Sequence, residues 1–253
     1  MGVVQEMPFQ FDVILLISLA AALAGAARGF SGFGGALIFI PLVSTIISPK
    51  IAAPLLLLTD TALSVGMLPN AWRNADRREV SIMAIGTVVG VPLGTFALSV
   101  TPVLTVRWVI CAVALLLLAF LMSGWRYDGT PRAHLTVAVG FLAGLFGGAA
   151  QMSGPPVVAY WLGGAMPPAI VRANIVLFFA IVSVISAVTY LVAGLLTTQV
   201  LLLACIVAPA YAIGLWLGSR LFGRASEQTF RRICFGLIAA ACAIGLPLFD
   251  AFR

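Results

Sequence analysis

The chain has 253 residues, of which 62% are hydrophobic and only 9% charged, whereas soluble domains carry about 25% charged residues. Fourteen Lys and Arg and eight Asp and Glu cannot cover the outside of a water-soluble fold, so the bilayer is the expected solvent. The net charge of +6 is not read as nucleic-acid affinity, because the basic residues other than Arg28, Arg172 and Arg220 sit in breaks between apolar runs, where they orient a membrane protein.

In chain order, apolar runs of spanning length lie near 11–27, 51–69, 81–100, 106–123, 134–147, 173–194, 199–221 and 230–249. The stretch before Val13 holds Glu6 and Asp12 but no Lys or Arg, unlike the basic start of a cleaved signal peptide. The first run is therefore expected to stay in the mature protein. Two shorter apolar pieces occupy 36–47 and 155–164; at about 1.5 Å per residue they reach roughly half of a ~30 Å hydrocarbon layer.

These pieces hold matching places in two halves. Leu23-Ala24-Gly25, Gly29 and Gly35 superpose on Leu142-Ala143-Gly144, Gly148 and Gly154 at a constant shift of 119, and Gly90, Leu93, Gly94 and Arg107 match Gly214, Leu217, Gly218 and Arg231 at 124. The spacing predicts a duplication, with repeats over 1–127 and 128–253.

Charge then orients the copies. If each half is a hairpin broken at 28–35 or 147–154 followed by three full spans, the N-terminal side keeps Lys50, Arg107 and Arg253. The opposite side collects Arg73, Arg77, Arg78, Arg126, Arg132, Arg172, Arg220, Arg224, Arg231 and Arg232. Ten against three is a positive-inside pattern, whereas four full crossings per half would leave no bias. An odd number of net crossings turns the second copy upside down. The expected fold is an all-α polytopic membrane protein with an inverted-topology repeat in the inner membrane, both termini on the non-cytoplasmic side.

The breaks read Arg28-Gly29-Phe30-Ser31-Gly32-Phe33-Gly34-Gly35 and Gly147-Gly148-Ala149-Ala150-Gln151-Met152-Ser153-Gly154-Pro155-Pro156. Unwound backbone at membrane depth leaves N–H and C=O groups unpaired, which is tolerated only where protein, water or a ligand satisfies them. Each break precedes a short helix whose N-terminus carries partial positive charge, and Ser153 stands where an N-cap belongs. Two such ends meeting near the midplane suit a small oxyanion. Arg28, Ser31, Gly34, Gly35, Gln151, Ser153, Gly154 and Asn174 are the substrate-binding candidates. Gly25, Gly90, Gly144 and Gly214 are read instead as close helix contacts.

Asp60, between Thr59 and Thr61 at the centre of its span, costs about 2.5–3.5 kcal/mol to insert. It is the coupling candidate, as a proton or cation carrier; the other readings are a partner for Arg28, a buried hydrogen-bonded strut and a protonated acid. Arg172 reads as interfacial, and Tyr160, Trp161, Tyr211 and Trp216 as interface anchors with a substrate path as the alternative. The four cysteines lie in apolar runs without pairing motifs, and His134 is the single histidine, so no metal ligand set and no cofactor is expected.

The run Gly29-Phe30-Ser31-Gly32-Phe33-Gly34-Gly35 and the pattern Gly144-x2-Gly147-Gly148 to Gly154-Pro155-Pro156 resemble the paired glycine signatures of the sulfite exporter (TauE/SafE) family, over essentially the whole chain. The resemblance implies a secondary carrier for sulfite, sulfonates or related organic acids. Ala149, Ala150 and Met152 depart from a polar glycine repeat, so the two half-sites need not contribute equally. An uncoupled anion channel is the alternative, and homo-oligomerisation stays open. No Walker-type Gly-x4-Gly-Lys-Ser/Thr run and no Ser/His or paired-acid arrangement is present, so neither ATP hydrolysis nor an intramembrane enzyme is expected.

Overall fold

A computed structural model describes residues 10–163, 166–221 and 227–248, with side chains left out over 221–231. The readings that rest on Glu6, Arg224, the Arg231 side chain and Arg253 lie outside the described residues, as do the ends of the runs at 164 and 249. The first half is built of α1 (Phe11–Ser31), a short α2 (Gly35–Val43), α3 (Pro49–Ser64), α4 (Leu68–Asn74), α5 (Arg77–Val100) and α6 (Val103–Met122), with a 3-10 turn at Val65–Met67 joining α3 to α4. The second half is α7 (Ala133–Ala150), a short α8 (Gly154–Gly163), α9 (Pro168–Val192), α10 (Thr198–Leu221) and α11 (Glu227–Gly245). All regular structure among the described residues is helical.

Among the described residues seven segments are long and apolar enough to cross a membrane: α1, the α3–α4 stretch Pro49–Asn74, α5, α6, α7, α9 and most of α10. The eighth expected span falls on α11, whose part with side chains described, Arg232–Gly245, is an apolar helix. The outward faces carry Ile85, Val88, Leu93 and Phe96 on α5 and Val184, Val188 and Leu191 on α9, as lipid requires.

Local chemistry sets the ends. Ser48 caps α3, its Oγ accepting from the Lys50 N–H at 3.3 Å, with Pro49 in the first turn where a missing N–H does no harm. Asp76 caps α5 by accepting from the Arg78 and Glu79 amides at 3.1 and 3.2 Å. The starts keep similar spacing between the halves: α7 begins 122 residues after α1, α8 119 after α2, α9 119 after α3, α10 121 after α5 and α11 124 after α6.

Two helix pairs form the tightest contacts, α1 with α10 and α5 with α7. Both are glycine seams. A Cβ on Gly25 or Gly29 would run into the Tyr211 or Leu215 carbonyl, and one on Gly214 or Gly218 into that of Ala22 or Ala26. Gly90 and Gly94 meet the Phe141 and Leu145 carbonyls in the same way, while Gly144 lies against the Thr87 backbone. Removing side chains lets the axes approach until backbone packs on backbone.

The short helices lie inside. In α2, Leu37, Ile38, Phe39 and Ile40 have no exposed surface, and in α8 Val157, Tyr160 and Trp161 are buried. A helix enclosed by protein, as α2 is throughout and α8 is except at Leu162 near its end, need not span the bilayer, which fits both the short length and the apolar sequence. Burial also corrects the aromatic reading: Tyr160, Trp161 and Tyr211 are interior. Trp216 alone of the four is exposed, with the Arg220 guanidinium 4.5 Å from its ring. Cys111, Cys234 and Cys242 are buried and Cys205 is exposed, all as free thiols.

Candidate functional site

The breaks end two long helices in the same way. Gly32, after α1, has φ 81°, and Gln151, after α7, has φ 58°, both left-handed, and they stand 119 residues apart. Glycine adopts that conformation freely, whereas glutamine there costs about 1–2 kcal/mol. Gln151 is held by its amide, whose Nε2 donates to the Gly147 carbonyl at 3.1 Å and to the Tyr190 hydroxyl at 3.2 Å. Tyr190 in turn donates to the Gly148 carbonyl at 2.8 Å. With both amide hydrogens used, Oε1 is the polar atom this side chain has left.

The breaks touch. A Cβ on Gly154 would lie 2.7 Å from the Cβ of Phe33, so the first residue of α8 is glycine where the aromatic ring of the other break presses on it. Around this contact lies a cavity of about 40 Å³, room for a few waters or one small ion. Arg28, Phe33, Asp60, Gln151, Ser153 and Gly154 line it, together with Ala36, Leu56, Phe179, Val182, Ser183 and Tyr211.

Its charge centre is a two-point ion pair. Arg28 Nε donates to Asp60 Oδ1 and Nη2 to Oδ2, both at 2.9 Å. Nη1 donates to the Gly32 carbonyl, so three of the five guanidinium N–H groups are engaged. Tyr211 donates its hydroxyl to Asp60 Oδ1 at 2.7 Å, and the Phe179 ring lies 5.1 Å from the guanidinium carbon, within cation–π range. Of the readings offered for Asp60, partnership with Arg28 is what the geometry realises.

Five of the nine candidate residues meet at the cavity: Arg28, Asp60, Gln151, Ser153 and Gly154. Three others shape the first break without lining it. Ser31 Oγ donates to the Ala27 carbonyl at 2.7 Å and accepts from the Gly34 amide at 3.1 Å, so its hydroxyl is consumed in closing α1. Gly35 has no room for a side chain, with Ala24 O 3.0 Å and Tyr211 Oη 3.2 Å from where a Cβ would sit. Asn174 stands apart from the group; it is fully buried, and its Oδ1 accepts from the Asp76 amide at 2.7 Å, tying α9 to the cap of α5.

The half-helices offer unequal donors. In α2 the Gly34 amide is taken by Ser31, which leaves the amides of Gly35, Ala36 and Leu37 in the first turn. In α8, Pro155 and Pro156 remove two of the corresponding donors, leaving Gly154 and, at the cap position, Ser153. Ser153 occupies the expected cap position, but among the described residues no hydrogen bond joins its Oγ to α8. Instead its hydroxyl packs against Gly147.

The family model for the sulfite exporter TauE/SafE matches residues 17–245, both breaks included. This chain belongs to that family. It is 28% identical over 259 residues to the probable sulfite/organosulfonate exporter TauE of Cupriavidus necator, an alignment covering 95% of this chain and 98% of that protein. No solved structure matches the chain. As a TauE/SafE member it is a multi-pass inner-membrane protein and not an enzyme, and among the described residues no group of three or more His, Cys, Asp or Glu could hold a metal ion. Sequence reasoning missed Phe179 as a site residue and favoured an interface anchor for Tyr211, whose alternative reading, a substrate path, is the one its place in the cavity lining fits. Phe179 had a signal: it stands 119 residues after Asp60, the same position in the second half, and both touch Arg28.

Proposed function

We propose that this protein is a secondary carrier of small sulfur-containing anions, sulfite, sulfonates and related organosulfur anions, working by alternating access around its two helix breaks. The observation that carries the reading is the meeting of both breaks, Phe33 on Gly154, at one small cavity lined by a half-buried cation, Arg28. Half-helix N-termini bring partial positive charge, and Arg28 brings a full one, where an oxyanion needs them. Arg28, Gln151, Ser153 and the first-turn amides of α2 and α8 bind the substrate, and Asp60 couples its movement to a proton or cation. The small cavity favours compact anions, in keeping with the substrates in the name of the Cupriavidus necator relative.

The moving parts follow from the repeat. Similar spacing of helix starts, at shifts of 119 to 124 residues, and reciprocal packing, α1 on α10 and α5 on α7, fit two inverted copies that lock each other's first helix. Rocking one pair of seams against the other exposes the breaks to alternate sides. Both termini lie on the non-cytoplasmic side.

A thermal-shift screen of the detergent-solubilised protein against sulfite, thiosulfate, sulfate, short sulfonates and short carboxylates tests the reading. A ligand that binds the folded state raises its unfolding temperature in a concentration-dependent way; sulfite or a sulfonate is expected to do so ahead of the carboxylates. No shift from any sulfur anion would contradict it.

A further inference from the structure

We propose that Arg28 and Asp60 are an exchangeable pair: the transported anion takes the carboxylate's place on the guanidinium, and Asp60 binds one proton as it is displaced. The inference rests on the carrier reading above and specifies its coupling ion and ratio.

Charge balance in the cavity carries it. Without substrate, one guanidinium faces one carboxylate at 2.9 Å in a two-point contact, with only 14% and 25% of their side-chain surfaces exposed. Among the described residues the titratable groups facing Asp60 are Arg28 from α1 and Tyr211 from α10. The cavity residues contributed by α2, α8, α9 and the breaks carry no charge. The unloaded site is therefore neutral.

An anion entering that site adds a full negative charge that the partial charges of the half-helix N-termini offset only in part. If it displaced Asp60 from Arg28 and left the carboxylate ionised, the same excess would remain and the carboxylate would have lost its cation, a costly state away from bulk water. Arg28 cannot correct the balance by titrating, because a guanidinium keeps its proton in proteins. A proton on Asp60 does correct it. The balanced step is that the Arg28–Asp60 ion pair opens, the anion forms hydrogen bonds to the guanidinium, and one proton delivered from bulk solution as hydronium bonds to an Asp60 oxygen, leaving a neutral water behind. Both the unloaded and the loaded carrier are then neutral, so neither drags unpaired charge through the conformational change. A metal cation would need several oxygen ligands beside a guanidinium, whereas a proton needs one oxygen.

Tyr211 is built for both states. Its hydroxyl donates to the ionised carboxylate at 2.7 Å and can accept from the protonated one, because a hydroxyl serves as donor and acceptor. With its oxygen 3.2 Å from where a Gly35 Cβ would stand, Tyr211 also links the proton site to the start of α2.

The test uses full-length protein in liposomes containing a trapped pH indicator, with methanesulfonate outside, since that anion carries no titratable proton near neutral pH. One proton should enter with each sulfonate, at a rate unchanged when the membrane potential is clamped to different values. Asp60→Asn should abolish proton movement, and any remaining sulfonate flux should follow the membrane potential. Sulfonate entry through the parent protein without protons, or with net current, overturns the exchange and leaves the carrier reading standing. If neither methanesulfonate nor sulfite enters, the carrier reading itself falls and takes the exchange with it. Should Asp60→Asn fail to fold, the proton-to-sulfonate ratio of the parent protein decides alone.

Discussion

Phe33, in the break after α1, presses on the Cα of Gly154, the first residue of α8, so closely that a Cβ there would fall 2.7 Å from the Phe33 Cβ and 3.3 Å from its ring. The two halves of the chain thus meet through a residue pair that joins one break to the other. Gly154→Ala should push Phe33 away and lower anion flux by at least about tenfold, a cost near 1.4 kcal/mol and within the range of overpacking. Adding Phe33→Ala to the same chain should restore part of the loss. Flux in reconstituted vesicles measures both; equal rates in parent and Gly154→Ala would show that the contact is irrelevant to transport.

The glycine seams predict a sharp positional contrast in stability. Gly218→Ala drives a methyl group into the Ala26 carbonyl and should cost at or beyond the upper end of about 1–3 kcal/mol. Gly66→Ala meets nothing within 4 Å and should stay within about 0.5 kcal/mol of the parent. Unfolding midpoints in detergent, compared across these two variants, check the seam directly.

Gln151 keeps a side chain where the matching residue of the first break, Gly32, has none. Gln151→Gly relieves a left-handed backbone cost of about 1–2 kcal/mol and loses the hydrogen bonds to Gly147 and Tyr190, worth about 0.5–1.5 kcal/mol each. Stability should therefore change little while sulfite and sulfonate affinity falls. Binding titrations beside melting curves separate the two effects, and unchanged affinity would remove Gln151 from the substrate site.

Orientation is open to labelling. Cysteines introduced at Ala75 and Thr130, in a chain with Cys205→Ser to remove the exposed thiol, should resist a membrane-impermeant maleimide in intact cells and react after permeabilisation. Reaction of both from outside would invert the charge-based topology.

Much of the architecture is local and was therefore legible. The pieces expected at 36–47 and 155–164 emerge as Gly35–Val43 and Gly154–Gly163, because the dense glycine and proline runs that precede them are local features of the sequence. Helix contacts at Gly25, Gly90, Gly144 and Gly214 were readable from spacing for the same reason. The site was half legible. Asp60 and Arg28 stood out as charges that topology did not explain, but Tyr211 reaches Asp60 across 151 residues of sequence, and nothing local distinguishes a tyrosine that faces a neighbouring helix from one at the lipid interface. Asn174 misled in the opposite sense: its depth suggested a cavity, yet its partner is the Asp76 amide 98 residues away, a structural tie that no window around position 174 contains.

Counterflow in proteoliposomes bears most directly on the idea of a carrier built around two meeting breaks. Vesicles preloaded with unlabelled sulfite or methanesulfonate should transiently accumulate the labelled anion above equilibrium, with saturation, and should lose this overshoot when Gly154→Leu fills the contact with Phe33 in a protein that still elutes as a folded species. Flux that rises linearly with concentration and shows no overshoot, or an overshoot of equal size in Gly154→Leu, would contradict the account.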